Sequence, residues 1–302
     1  MSEERPDAYV RQDEPEAQTT EHRAADGELC EEFISLWSED SNYTNLLDNR
    51  DYLSWLLDFS FDLDAQLDAA RSMLTINQSA AKQVQANIKL LNERATHTGS
   101  GHDIDELICA LERSSYSDAV DSLVATVVIV PMMESFFIEL FQGIGKKYKE
   151  KKIEPPEHHR WRRADNWNKD PNNCKKDRWD CSVYFGKNKP QPNLYEGIRQ
   201  LSQATGLCDY LEEEKKNTMD WIKALLVYRN YVFHNGLEWS EAKGNQFQEL
   251  SKKKNWQYFK PRLTGETPRM FYLCDTVINE MPQMIEFIFD KAGIFAKNLA
   301  SR

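Results

Sequence analysis

The chain has 302 residues, 40% hydrophobic, 11% aromatic and 29% charged, which is enough apolar matter for one large core or two modest ones. Twelve Gly and 11 Pro exclude a collagen-like or Gly/Pro low-complexity chain. A net charge of -11 and a pI near 5.2 argue against general affinity for nucleic acid until the distribution of that charge is read.

The distribution is uneven. Residues 1–70 carry 19 Asp and Glu against four basic residues, Arg5, Arg11, Arg23 and Arg50. Residues 71–302 hold 34 basic and 30 acidic side chains, and residues 151–190 alone hold 11 basic against 6 acidic. An acidic head on a mildly basic body can bind a polyanion locally, and the head can compete for the same surface; a plain solvated acidic face gives the same pattern. The first residues contain no apolar stretch of the signal-peptide kind. The longest uncharged run, Ser122 to Met133, is too short to span a bilayer. The six cysteines are scattered, as ordinary thiols of a reducing cytosol are. A cytoplasmic location with no membrane partner is the expectation.

In chain order, residues 1–26 read as a disordered acidic tail. Residues 27–115 read as an N-terminal helical region of unassigned role. In it Leu29, Phe33, Leu36 and Trp37 recur at helical spacing. A helix capped by Asp51 carries the stripe Leu53, Leu56, Leu57, Phe61, Leu63 and Leu67 toward Met73, and a second helix covers residues 78–95. After a loop at residues 96–101, Asp103 or Asp105 caps a short helix to Arg113. The helix from about Asp118 to Lys151 is apolar nearly all round in its middle, so it is central in its domain, and Pro131 should kink it. Glu134 is the first charge after that run. A buried carboxylate is costly unless paired, so Glu134 should face a cation or a wet cleft. Residues 152–193, with five prolines, read as a long irregular insert. Helices resume at about 194–204 and 215–233, the latter ended by Asn235-Gly236. A hairpin or extended arm over 256–273 and a final helix over 273–299 complete an all-α helical bundle.

The most informative segment is Tyr228-Arg229-Asn230-Tyr231-Val232-Phe233-His234-Asn235-Gly236. Five residues rotate a side chain by about 140° on an ideal helix, so Arg229 and His234 do not aim at one point. They converge if the last turn loosens, or if two copies of the chain pool their pairs. An imidazole and a guanidinium at one phosphodiester suit metal-free RNA cleavage by the 2′-hydroxyl. His234 would move the proton, Arg229 would hold the phosphate, and Asn230 would orient the ring or donate to phosphate. The expected product is a 2′,3′-cyclic phosphate. A surface Arg beside a capping His is the plainer alternative.

The string RNYVFH, at the end of an apolar helix, resembles the R-x4-6-H signature of the HEPN superfamily, including the frequent Asn after the Arg. The earlier helix interrupted at Glu134 is similar to that family's other recurrent feature, a polar residue facing the site. The resemblance covers roughly residues 116–300, within a HEPN-like helical domain over 116–302 that carries 152–193 as an insert. It implies a four- or five-helix bundle, a homodimer with a composite cleft, and endoribonuclease activity without metal or other cofactor. Many members are toxins or abortive-infection effectors in antiviral defence, restrained by a regulatory or antitoxin partner; others are non-catalytic binding or regulatory modules. Site roles carry over to Arg229, Asn230, His234 and Glu134. Some such toxins carry a modified Tyr two residues after the His; Gly236 stands there, so that control is not expected.

Two further groups lie in the insert. Arg160, Trp161, Arg162, Arg163, Trp167, Lys175, Lys176, Arg178 and Trp179 interleave cations with rings, as an RNA contact does and as a protein-facing surface also does. Lys252, Lys253 and Lys254 would extend it. His158, His159, Cys174 and Cys181 are weak zinc candidates, since the cysteines stand farther apart than in zinc-finger spacings.

Overall fold

The computed structural model describes residues 49–57, 62–170, 176–213, 217–264 and 267–301. The expected acidic tail and the helix from Glu28 lie outside the described residues. The described chain is a multi-helix bundle carrying two two-stranded antiparallel hairpins.

It starts with a 3-10 helix, Asn49–Trp55, where an α-helix was expected from Asp51. Helix α1, Leu63–Thr98, is opened by Asp62, whose side chain accepts from the Ala65 N–H at 2.9 Å. The break expected between residues 73 and 78 does not occur, because no Gly or Pro interrupts this stretch. Gly99, at φ 58, stops α1 in the left-handed conformation that glycine tolerates. Ser100 then caps α2, Gly101–Lys149, which absorbs the short helix expected to Arg113 and runs on through Pro131. Although α2 has the length and apolarity of a membrane span, half of its most apolar window is buried inside the protein.

The centre of α2 is the centre of the core. Ile129, Val130, Met133, Phe136, Phe137, Leu140, Phe141 and Ile144 have no exposure at all. Each is worth about 1.5–3 kcal/mol of transfer free energy, so this one helix outweighs any surface contact in the fold. Around it pack Ile222, Ala224 and Leu225 of α6 (Thr218–Asn235) and Met281, Ile285, Ile288 and Phe289 of α8 (Asp275–Ala300). Leu53, Leu56, Leu67 and Leu74 belong to the same core. The 3-10 helix reaches it through two glycines. A Cβ on Gly143 would lie 1.7 Å from the Leu56 carbonyl oxygen, and one on Gly293 would lie 2.2 Å from that of Asn49.

The insert is more ordered than expected. It holds helix α3, His159–Lys169, and strands β1, Val183–Phe185, and β2, Pro190–Pro192, before α4, Leu194–Thr205, and the short α5, Leu207–Glu212. It docks by aromatic packing: Trp179 stacks on Tyr148 at 4.8 Å and meets Trp161 edge-on at 4.3 Å. After α6 come α7, Glu241–Lys254, and the expected hairpin, β3 (Phe259–Thr264) and β4 (Thr267–Leu273).

A candidate Arg–His site at the end of a helix

Helix α6 presents the motif because its other face is fixed. Tyr228 and Val232 are buried, and the Tyr228 hydroxyl donates to the Phe271 carbonyl at 2.9 Å. Tyr228, Tyr231, Trp239, Phe247, Phe259 and Phe271 form one aromatic cluster with ring centres 4.8–6.3 Å apart. The Trp239 indole N–H donates to the Gly236 carbonyl at 2.8 Å and ties down the chain just past the helix. With that face locked inward, Asn230, Phe233 and His234 are exposed and Arg229 is half-buried. The apolar and motif faces were legible in the periodicity; the clamp of rings behind them was not.

Glu134 faces a cation, and that cation is Arg229: the two form an ion pair between α2 and α6. Their side chains are 19% and 28% exposed, so the pair sits at the edge of the core with an opening to solvent. Burial alone pushes the Arg229 pKa down, and its Nε is buried without a hydrogen-bond partner. His234 and Asn230 stand away from this pair on the exposed side. The last turn of α6 does not loosen: it stays helical through Asn235, closed by the Gly236 N–H to the Val232 carbonyl at 2.8 Å. One of the two routes by which Arg229 and His234 could converge is therefore closed.

A second tie fixes α6 along α2. Beyond the helix, Glu238 accepts from the Tyr116 hydroxyl at 3.1 Å. Tyr116, Val120, Val127 and Glu134 fall within about 40° of one another on an ideal helix. Tyr116, Val120 and Val127 are 44%, 41% and 42% exposed, and Phe233 is 61% exposed. The motif thus opens on a face with uncovered apolar side chains.

The insert departs from the expected RNA surface. Arg160 is fully buried, and its guanidinium donates to the carbonyls of Arg178, Gly197 and Asp180 and to Gln200 Oε1. Desolvation lowers its pKa to about 10. Trp161 and Trp179 are buried, Arg163 donates to the Phe185 carbonyl, and Arg178 pairs with Asp165. These residues hold the insert together, and Arg160 and Trp161 cannot touch RNA without unfolding it. Arg162, Lys176 and Lys252 to Lys254 are exposed, Trp167 is half-buried, and Lys175 lies outside the described residues.

Of the zinc candidates, His158 and His159 have ring centres 3.9 Å apart, Cys181 is buried, and Cys174 lies outside the described residues. His158 Nδ1 accepts the Arg160 N–H as the cap of α3, which occupies one of the nitrogens a metal would need. Among the described residues no three His, Cys, Asp or Glu side chains gather as a metal site.

The sequence reading passed over four residues near the α6 exit. A cavity of about 240 Å³ is lined by Tyr116, Glu238, Arg262 and Arg269, with Glu112 and Met270. Beside it the β3–β4 register shifts between Arg262 and Leu263: Arg262 pairs with Met270 and Leu263 with Pro268. Arg269 is thereby left out of the ladder, and its carbonyl accepts the Trp239 N–H at 2.6 Å instead. Two arginines seven positions apart on opposite strands were the only sequence signal.

No protein-family model, curated protein or solved structure matches the chain.

Proposed function

We propose that this chain is a metal-independent, HEPN-type endoribonuclease of the cytoplasm that works as a homodimer. The observation that carries this reading is the Arg229–Glu134 pair. It sets the first charge after the apolar run of the core helix against the arginine of the Arg–His motif, with His234 exposed about one and a half turns further on. Two copies meeting through the face of Val120, Val127 and Phe233 would bring their motifs to one cleft, and the regular last turn of α6 leaves this as the route to convergence. There one His234 takes the proton from the 2′-hydroxyl as its oxygen bonds to phosphorus. The other gives a proton to the departing 5′-oxygen, and Arg229 neutralises the charge on the phosphoryl oxygens. The products are a 2′,3′-cyclic phosphate and a 5′-hydroxyl. A toxin or anti-phage effector role, with a restraining partner, follows from the family resemblance.

A second reading is a HEPN-like binding or regulatory module. It is favoured by the closure of Arg229 on Glu134, which a phosphate must displace before chemistry begins. Incubation of the purified protein with RNA in EDTA, beside Arg229→Ala and His234→Ala, separates the two. Cleavage by the parent protein alone supports the nuclease; equal cleavage by all three, or none by any, defeats it.

A further inference from the structure

The cavity beside the α6 exit gathers a phenol ring, two glutamates, Glu112 and Glu238, and two arginines from adjacent strands. Its walls are held in place from three elements. Tyr116 comes from α2, Glu238 from the segment following α6, and Arg262 and Arg269 from the hairpin. Arg262 is anchored by a bond to the Glu112 carbonyl at 3.1 Å and lies over the Tyr116 ring at 6.0 Å from its centre. Gly244 lets α7 press on the hairpin beside it: a Cβ there would lie 1.8 Å from the Pro268 carbonyl oxygen. The position of the bulge is therefore set by packing, and Arg269 is exposed at the rim.

We propose that this cavity is a nucleotide subsite that takes a guanine base, with Tyr116 as its stacking platform, Glu238 reading its edge, and Arg269 holding the attached phosphate. Tyr116 is 44% exposed, so its side chain can be reached by a base from solvent, with Arg262 backing the ring. The Tyr116 hydroxyl uses Glu238 Oε2, and the Oε1 atom has no partner among the described residues. A carboxylate accepts several hydrogen bonds. Guanine alone among the four RNA bases offers two neighbouring donors, N1–H and the 2-amino group, on one edge. Adenine and cytosine offer one amino group beside an acceptor, and uracil one N–H between two carbonyls. The cavity is smaller than ordinary drug-sized sites, which suits a single base. Glu238 follows His234 by four residues in the chain, and on the ribonuclease reading the base held there belongs to the RNA strand that His234 acts on. That placement rests on the ribonuclease reading; the choice of base does not.

The test has two arms, both on the full chain. In the first, the protein is titrated with GMP, AMP, CMP and UMP by calorimetry. GMP is expected to bind about tenfold tighter than the other three, the scale of one bidentate base contact. Glu238→Gln should erase that preference, Tyr116→Leu should weaken GMP, and Arg269→Ala should weaken all four alike. In the second arm, the ends of fragments from a mixed-sequence RNA are mapped, and they should fall at a fixed offset from guanosine. Equal affinity for the four nucleotides, no binding of any, or a GMP preference that survives Glu238→Gln overturns the subsite. A GMP preference lost in Glu238→Gln, with no RNA cleaved in EDTA, keeps the subsite and overturns the ribonuclease.

Discussion

Arg229 of α6 closes on Glu134 of α2, the first charge after the uncharged run Ser122 to Met133 of the core helix. Neither side chain is fully buried, so the pair lies between an exposed ion pair, worth under about 1 kcal/mol, and a buried one, whose broken half costs about 3–5 kcal/mol. Glu134→Gln should accordingly destabilise the protein by about 1–2 kcal/mol. The Arg229→Met, Glu134→Gln double variant should recover part of that loss, because no guanidinium is then left without its counter-charge. Urea denaturation of the four proteins measures the coupling; additive losses would show that the pair contributes nothing as a pair.

On the nuclease reading, Arg229→Ala and His234→Ala each lower RNA cleavage by about 10²–10⁴-fold. The two losses should not multiply in the double variant, because the groups act on one transition state. A composite cleft adds a sharper expectation. A dimer of one parent subunit and one His234→Ala subunit should cleave RNA about as slowly as the His234→Ala homodimer, because the cleavage uses one imidazole from each copy. Phe233→Asp should lower both the dimer fraction in sedimentation and the cleavage rate. Activity that persists in a strictly monomeric sample would exclude pooling.

What could be read in the sequence was what repeats along a helix. The inward stripe of α6, its stop at Asn235-Gly236, the long central helix and the need of Glu134 for a cation or a wet cleft all follow from periodicity and the cost of burying charge; that the cation is Arg229 came from the fold. What could not be read depended on contacts between distant segments. Nothing in RWRR says that the first arginine points inward to three carbonyls while the second is exposed. The 3-10 helix at Asn49–Trp55 exists because Gly143 and Gly293 admit its backbone, and those glycines lie far along the chain. The bulge that leaves Arg269 out of the ladder lies where α7 packs closely on the hairpin at Gly244, a contact between segments that no local turn signal announces.

The two glycines give a direct check of that packing. Gly293→Ala sets a methyl group against the Asn49 carbonyl, which is backbone and cannot swing aside. A loss of about 2–4 kcal/mol is expected, with protease nicking near residue 50 as the 3-10 helix lifts. Arg50 makes that helix a charged as well as a steric anchor, since it pairs with Asp290 and, at 2.8 Å, with Asp64. Gly101→Ala, where an added Cβ meets nothing, is the matched control and should change the urea midpoint little.

Arg160 offers a different kind of test, because among the described residues its guanidinium makes no direct ion pair and is held by carbonyl oxygens, with the Asp180 carboxylate near enough to favour its charge. Arg160→Lys keeps the charge but cannot reach the acceptors that Nε, Nη1 and Nη2 meet at different edges of the planar guanidinium, and should cost about 3–5 kcal/mol. Arg162→Lys, one position on and exposed, should be neutral within about 0.5 kcal/mol. If both changes are equally mild, the insert is held by its Trp161, Trp179 and Tyr148 rings and not by this cation.

The cap of α3 makes the fold sensitive to acid with a definite sign. Burial, then the neighbouring His159, Arg160, Arg163 and Arg199, lower the His158 pKa to about 4. The unfolded chain therefore takes up the proton first, so stability falls as pH drops from about 6.5 toward 4 and is unaffected by this group above that window. His159 is lowered by the same surroundings and adds to the slope. Asp118 and Asp121 act oppositely: burial raises their pKa values, so the native state takes up their protons first and gains stability as pH falls. Comparing wild type with His158→Asn isolates one group from this sum. Asparagine caps a helix as well as any residue and does not titrate, so the two proteins should have similar urea midpoints near pH 7.5. At about pH 5 the variant should be the more stable, by a modest margin because the imidazole is only partly buried. Parallel pH profiles for the two proteins would mean that the cap, and not its neutrality, is all that His158 supplies.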